Sequence, residues 1–231
     1  MEKKKAVVVL SGGQDSTTAL FWAKTMFDEV LAVSFDYGQR HKIELQSAVI
    51  VAAKAGVPHE IVDAKFINAL AANALTRKDI DVECPEGKLP TTFVDGRNLF
   101  FLSMAAVYAK QRGIHNLVTG VCQTDYSGYP DCRMDFIASL RNTLVYAMDY
   151  EFSIHVPMMF LTKAQEVELA VSLGVDCLDA LSQSHTCYEG VFPPCGKCPA
   201  CKLRSKGFKE AGYSDPLIVR ANLAGSYKSR M

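Results

Sequence analysis

Short runs of consecutive apolar, largely β-branched residues alternate along this chain with longer segments whose apolar positions recur every three or four residues. The first run, residues 6–10, stops at a Ser-Gly-Gly turn, and comparable runs lie at 30–35, 60–63, 116–119 and 153–156. Short β-branched runs of this length predict strands. Residues 15–27, 41–55, 97–112, 133–149 and 163–173 carry the helical spacing, and several end near a glycine such as Gly56, Gly113 or Gly174. The alternation predicts successive βα units, hence an α/β fold with a mainly parallel five-stranded sheet and helices on both faces. Residues 64–95 are the least regular stretch and hold Pro85, Gly87 and Pro90, so they read as a lid-like excursion over the active-site edge. From about Leu181 the helical period gives way to Cys, Pro and Gly. Residues 1–180 therefore read as the main domain and 181–231 as a small C-terminal appendage packed on it.

Composition narrows the function. Of 231 residues, 49% are hydrophobic and 22% charged, which is ordinary globular usage and argues against disorder or a coiled coil. Lys plus Arg and Asp plus Glu both number 25, so no global field draws the protein to DNA or a lipid surface, and neither a nucleic acid nor a membrane is an expected partner. No apolar run approaches the ~18 residues that a membrane helix needs. The apolar stretch after Lys3-Lys4-Lys5 is too short for a signal peptide, and the expected compartment is the cytosol. There thiols stay reduced, so clustered cysteines point to metal or catalysis rather than to disulfides.

Ser11-Gly12-Gly13-Gln14-Asp15-Ser16 joins the first strand to the first helix. At such a turn glycines let the backbone approach an anion, and the free N–H groups and positive end of the helix stabilise its charge. Ser11 and Ser16 add hydroxyl donors, while Asp15 either caps the helix or holds Mg²⁺ beside the phosphates. The string is neither a Walker A loop nor Gly-x-Gly-x-x-Gly. A Gly-Gly turn alone serves equally well as a plain connection. Cys187, Cys195, Cys198 and Cys201, separated by seven, two and two residues, can close a tetrahedral Zn²⁺ site. An Fe–S cluster uses the same ligand type, and zinc is the expectation only because no redox or radical motif accompanies it. Four protein ligands leave no open position, so this metal should be structural; nearby His185 is at most a spare ligand.

Two further polar segments stand where a plain turn would serve. One is Thr91-Thr92-Phe93-Val94-Asp95-Gly96-Arg97-Asn98, whose Arg97 at a helix start is a reader of phosphate or carboxylate. The other is Gly120-Val121-Cys122-Gln123-Thr124-Asp125-Tyr126-Ser127-Gly128-Tyr129-Pro130-Asp131-Cys132-Arg133, at the carboxyl end of a strand, where open α/β sheets bind ligands. It mixes aromatic faces, carboxylates and an arginine, as a planar amide-bearing heterocycle requires. Taken singly, Asp131 serves equally well as a helix cap, and Tyr126 and Tyr129 as packing residues.

The loop at 11–16 resembles the pyrophosphate loop of the N-type ATP pyrophosphatases, which cleave ATP between its α and β phosphates and adenylate an oxygen. Together with Phe35-Asp36-Tyr37-Gly38-Gln39-Arg40-His41, Gly96-Arg97-Asn98, the 125–133 segment and the cysteines, it resembles the 7-cyano-7-deazaguanine synthase family over nearly the whole chain. That family usually has Pro before Gly-Arg-Asn, where Asp95 stands here.

The resemblance implies an adenine nucleotide alpha hydrolase-like fold with a zinc-bearing appendage. It implies a ligase of queuosine biosynthesis that converts 7-carboxy-7-deazaguanine and ammonia to the nitrile with ATP and Mg²⁺, and a homodimer, for which the apolar face of helix 97–109 would serve. On this reading Leu10, Ser11, Gly12, Gly13, Gln14 and Asp15, continuing through Ser16, Thr17, Thr18, Ala19 and Leu20, form the nucleotide segment. Asp15, Arg97 and Lys163 are the catalytic residues: Arg97 and Lys163 stabilise the negative charge on the phosphates, and Asp15 holds Mg²⁺ beside them. Asp125, Tyr129, Asp131 and Arg133 take the deazaguanine. No cysteine has a glutaminase-like context, so free ammonia is the expected nitrogen source. The competing readings are another pyrophosphate-loop adenylating enzyme acting on tRNA, for which the chain lacks a basic extra domain, and a zinc-knuckle nucleic-acid module with an incidental loop.

Overall fold

The computed structural model describes residues 3–39, 42–70, 73, 76, 80, 91, 93–124 and 129–228. Most of the expected lid at 64–95, together with Asp125, Tyr126, Ser127 and Gly128, lies outside them. Five parallel strands, β1 (Lys5–Val9), β2 (Glu29–Asp36), β3 (His59–Asp63), β4 (Asn116–Val118) and β5 (Ser153–His155), form one sheet in the order β3-β2-β1-β4-β5. All five strands fall where the apolar runs predict them. So do α1 (Gln14–Met26), α2 (Ile43–Ala55), α4 (Arg97–Lys110), α5 (Met134–Met148) and α6 (Lys163–Ser172).

Alternate residues of β1 feed two cores. Ala6 and Val8 pack with Leu20, Ala52, Ala170 and Leu181 from α1, α2, α6 and α7 (Val175–Gln183), whereas Val7 packs with Leu102, Ala106 and Ile137 from α4 and α5. The sheet is thus covered on both faces, most completely at its centre, where β1 and β2 carry the longest apolar runs. The chain travels outward from β1 to β2 and β3, then returns to place β4 on the other side of β1. A crevice opens at this reversal, beyond the carboxyl ends of β1 and β4.

Four further helices are present: α3 (Phe66–Leu70), α7, α8 (Pro199–Ala211) and α9 (Pro216–Lys228). The expectation that helical periodicity stops near Leu181 is corrected by α8, whose buried positions Cys201, Arg204, Gly207 and Phe208 do follow the helical repeat. The stripe is hard to see because a cysteine, an arginine and a glycine occupy places usually held by aliphatic residues. α8 packs along α6, and α9 against α7. A Cβ on Gly207 would sit 2.8 Å from Lys163 Cβ, so the absence of a side chain there is what lets α8 lie so close to α6.

One buried ion pair fastens this end of the chain. Arg204, 4% exposed, donates from Nε and Nη2 to the two carboxylate oxygens of Asp215 at 2.7 and 2.8 Å, and from Nη1 to Ser184 Oγ at 2.7 Å. Removing one partner strands the other charge without compensation. Asp215→Asn should therefore lower stability by about 3 kcal/mol in urea unfolding; a change within experimental error would show that the pair does not hold α8 to the α8–α9 turn.

Candidate active site at the sheet's switch point

The crevice is a cavity of about 400 Å³ lined by both halves of the fold and by the C-terminal segment. Its floor is the turn from β1 into α1. Leu10, Ser11, Gly13, Gln14, Asp15 and Ser16 line it, with Thr119, Gly120, Val121 and Cys122 following β4. Gly13 is the N-cap of α1 and offers no side-chain acceptor, so the first-turn N–H groups of the helix are left for a ligand. The loop's own hydroxyls hold its shape: Ser11 N–H donates to Ser16 Oγ at 3.1 Å, and Thr17 Oγ1 donates to Gly13 O at 2.7 Å. Gly12 has a φ of +85°, and a Cβ there would fall 2.2 Å from the Glu44 carbonyl oxygen, so only glycine lets α2 lie against the loop. From the other side His185 N–H donates to Gly12 O at 2.8 Å.

The expected nucleotide segment is shorter on its cavity side than its sequence span. Thr17, Thr18, Ala19 and Leu20 are fully buried inside α1, where they support the loop and do not line the cavity. Asp15 does not cap the helix; its Oδ1 pairs with Lys163 Nζ at 2.7 Å. Lys163 is the first residue of α6, whose start is fixed by a reciprocal capping box between Thr162 and Gln165. Its ammonium also donates to Glu166 Oε2 at 2.8 Å. Glu166 is 1% exposed, and burial, followed by the charge of Asp15, pushes its carboxyl up to about 8 despite Lys163. A neutral Glu166 leaves Asp15 as the principal counter-charge of the lysine. Sequence reasoning missed Glu166; its signal was the three-residue spacing from Lys163 on one helix face.

Aromatic rings form part of the remaining wall. Phe35, Tyr37, Phe101, Tyr129 and Tyr188 line the cavity together with Gln39, Glu44, Arg97 and Asn98. Arg97 opens α4, as the sequence anticipated, behind Gly96 at a φ of +69°. Burial works against its charge, but Tyr37, Asp131, Glu44 and Tyr188 around it raise its pKa above the ordinary value. Burial likewise pushes Tyr37 up to about 12 and Glu44 up to about 7, the latter against the pull of Arg97. Asp95, in the position where the family resemblance expects Pro, is exposed and leaves the start of α4 intact.

Three of the four residues expected to take the heterocycle are described. Tyr129 lines the cavity, tilted against Phe93 with ring centroids 5.2 Å apart. Asp131 does not line it. Its Oδ2 accepts from Asn98 N–H at 3.0 Å and its carbonyl from Asn98 Nδ2 at 3.1 Å, so it caps α4 across the fold rather than the helix that follows it. Arg133 is exposed at the N-cap of α5 and also lies off the cavity. Asp125 is outside the described residues.

Cys187, Cys195, Cys198 and Cys201 come together with their sulfur atoms all within 4.8 Å of one another. No disulfide joins the described cysteines. A hydrogen bond from Cys201 holds the Cys198 thiol down to about 5. Four thiols at this separation suit a tetrahedral metal ion. His185 lies apart from this cluster, 3% exposed, and lines the cavity with Thr186. The cluster and the cavity are therefore distinct, joined by the short segment from 185 to 188.

Comparison with known proteins agrees with this arrangement. The family described as queuosine biosynthesis protein QueC matches residues 5–212. Proteins named 7-cyano-7-deazaguanine synthase are similar over most of their length. The one from Clostridium acetobutylicum is 56% identical over 91% of this chain and 96% of its own, and the one from Laribacter hongkongensis is 52% identical over 97% of each. A crystal structure of a 4-thiouridine synthetase–RNA complex with bound ATP shares the fold, at a TM-score of 0.50 and 17% identity, over 94% of this chain and 49% of that one. Among the described residues no helix is long and apolar enough to cross a membrane. With a match running from the first strand to the end of α8, the chain belongs to the queuosine biosynthesis protein QueC family.

Proposed function

We propose that this chain is a 7-cyano-7-deazaguanine synthase that turns 7-carboxy-7-deazaguanine and ammonia into the nitrile at the expense of ATP. The observation that carries this reading is one cavity whose wall holds both the uncapped start of α1 and several aromatic rings. A carboxylate resists ammonia because resonance delocalises its charge and oxide is a poor leaving group. Transfer of the acid's oxygen to the α-phosphorus of ATP expels pyrophosphate and makes AMP the leaving group. Ammonia then displaces AMP to give the amide, and a second ATP activates the amide oxygen so that its departure leaves the C≡N bond.

The chain's own residues fit these roles. The first-turn N–H groups of α1 with Ser11 and Ser16 cradle the pyrophosphate, and Lys163 and Arg97 offset charge as the α–β bond breaks. Asp15 would hold Mg²⁺ through the oxygen not paired to Lys163; bound there, the ion neutralises phosphate charge. The four cysteines would hold Zn²⁺, which fixes residues 187–201 and takes no part in the reaction. In this reading residues 1–180 form the nucleotide-activating unit and 181–231 a metal-held appendage, the protein works in the cytoplasm, and two copies associate through the α4 face that exposes Leu99 and Val107.

Pyrophosphate and AMP should appear only when the carboxylated deazaguanine is supplied with ATP, and nitrile only when ammonia is added; turnover with unmodified tRNA in place of the deazaguanine would overturn the assignment. Asp15→Ala should cut pyrophosphate release by about a hundredfold or more. Glu166 gives a pH signature. Its carboxyl ionises near 4.5 when unfolded and about 8 when folded, so its contribution to stability is lost as pH rises through that window. Glu166→Gln, which has no proton to lose, should gain stability over the parent by an amount that grows between about pH 5 and about pH 8 in urea unfolding; a pH-independent difference would mean that Glu166 stays ionised beside Lys163. Cys198→Ala should yield protein without stoichiometric zinc by metal analysis and lower Tm by about 10 °C.

A further inference from the structure

A 2-amino-4-oxo-pyrimidine ring, the fused half of the substrate proposed above, presents two neighbouring N–H donors, one on the ring and one on the exocyclic amine. A carboxylate is the complementary reader because its two oxygens accept such a pair side by side. Asp131, the described carboxylate that the sequence offers for this task, is spent on capping α4. Among the described residues the carboxylates that line the cavity are Asp15 and Glu44. Asp15, in the phosphate loop, is held by Lys163. Glu44 stands in the first turn of α2 and shares its surroundings with Tyr37, Arg97 and Tyr188. Arg97 stabilises its charge without a hydrogen bond between the two side chains among the described residues, so both carboxylate oxygens of Glu44 remain for a ligand.

From this geometry we infer that Glu44 reads the paired N–H edge of the substrate's pyrimidine ring and thereby sets the enzyme's demand for a 2-amino group. The inference rests on the proposed substrate and adds a residue to its recognition. The surroundings agree with it. Tyr37, Tyr129 and Tyr188 line the same cavity and supply flat faces for a heteroaromatic ring. The close approach of the Glu44 carbonyl to Gly12 ties α2 directly to the phosphate loop, so the reader of the ring and the cradle of the triphosphate are held at a fixed separation. Glu44 is half-buried, its surroundings push its carboxyl up to about 7, and two arriving donors favour the charged acceptor.

The test crosses one substitution with one change in substrate. Pyrophosphate release is measured for the wild-type protein and for Glu44→Gln with 7-carboxy-7-deazaguanine and with its analogue lacking the 2-amino group. Nucleotide binding by calorimetry reports whether the variant is folded. The wild type should prefer the amino substrate by about a hundredfold in kcat/KM. Glu44→Gln should lose most of its rate with the amino substrate and little with the analogue, so that the preference falls below about tenfold. Equal losses with both substrates, an unchanged preference, or a defect confined to the ammonia dependence would each overturn the role given to Glu44. A wild-type protein that releases pyrophosphate with neither compound would instead overturn the proposed reaction, and this inference with it.

Discussion

The first turn of α1 carries backbone N–H groups that no carbonyl of its own helix reaches, and β1 delivers them to the reversal point of a parallel sheet. The rest of the structure follows from keeping that turn open and rigid. Gly12 adopts a backbone conformation that side chains disfavour and leaves room for α2, while the segment after α7 is pinned to the same glycine by the amide of His185. The anion site is thus buttressed from two directions by elements distant in sequence. Its preorganisation is what makes the donors effective, since they need not be reoriented when charge develops on the phosphates.

Around this turn the protein tolerates unfavourable burial for the sake of chemistry. Lys163, Asp15 and Glu166 concentrate three ionisable groups beside the loop, and burial moves the proton equilibrium of Glu166 so that the lysine keeps Asp15 as its partner. Arg97, half-buried in the cavity wall, has Tyr37, Asp131, Glu44 and Tyr188 around it. The C-terminal helices close the arrangement. α8 rests against α6 at Gly207, close to Lys163, and Arg204 contributes both to the cavity wall and to the buried pair with Asp215. The cysteine cluster then stabilises the cavity indirectly, by holding the segment that places His185, Thr186 and Tyr188 in its wall.

Much of the fold was legible because burial of the central strands β1 and β2 writes apolar runs into them, because helical spacing marks the segments between strands, and because the loop at 11–16 and the cysteine spacing are local features. What was hidden depends on tertiary contact. Asp131 reads as a ligand for a heterocycle beside tyrosines, yet its partner is the Asn98 amide thirty-three positions earlier, which no local pattern announces. Glu44 has no distinguishing local pattern in the sequence, and its place in the cavity wall follows from the packing of α2 beside Gly12. The stripe of α8 was masked because its buried positions are occupied by Cys201 of the thiol cluster, Arg204 of the buried ion pair and Gly207 at the close approach to α6 rather than by aliphatic residues. Thr17, Thr18, Ala19 and Leu20 belong to the expected nucleotide segment by sequence, whereas the structure buries them inside α1 behind the cavity wall.

The account stands on the claim that the open turn of α1 positions the α-phosphorus of ATP for attack by the acid itself. The most direct measurement follows a heavy-oxygen label placed in the substrate's carboxylate. Adenylation predicts that turnover delivers the label into the phosphoryl group of AMP. Label recovered in inorganic phosphate, with none in AMP, would show that the terminal phosphoryl group had been transferred instead and would contradict the role assigned to this loop.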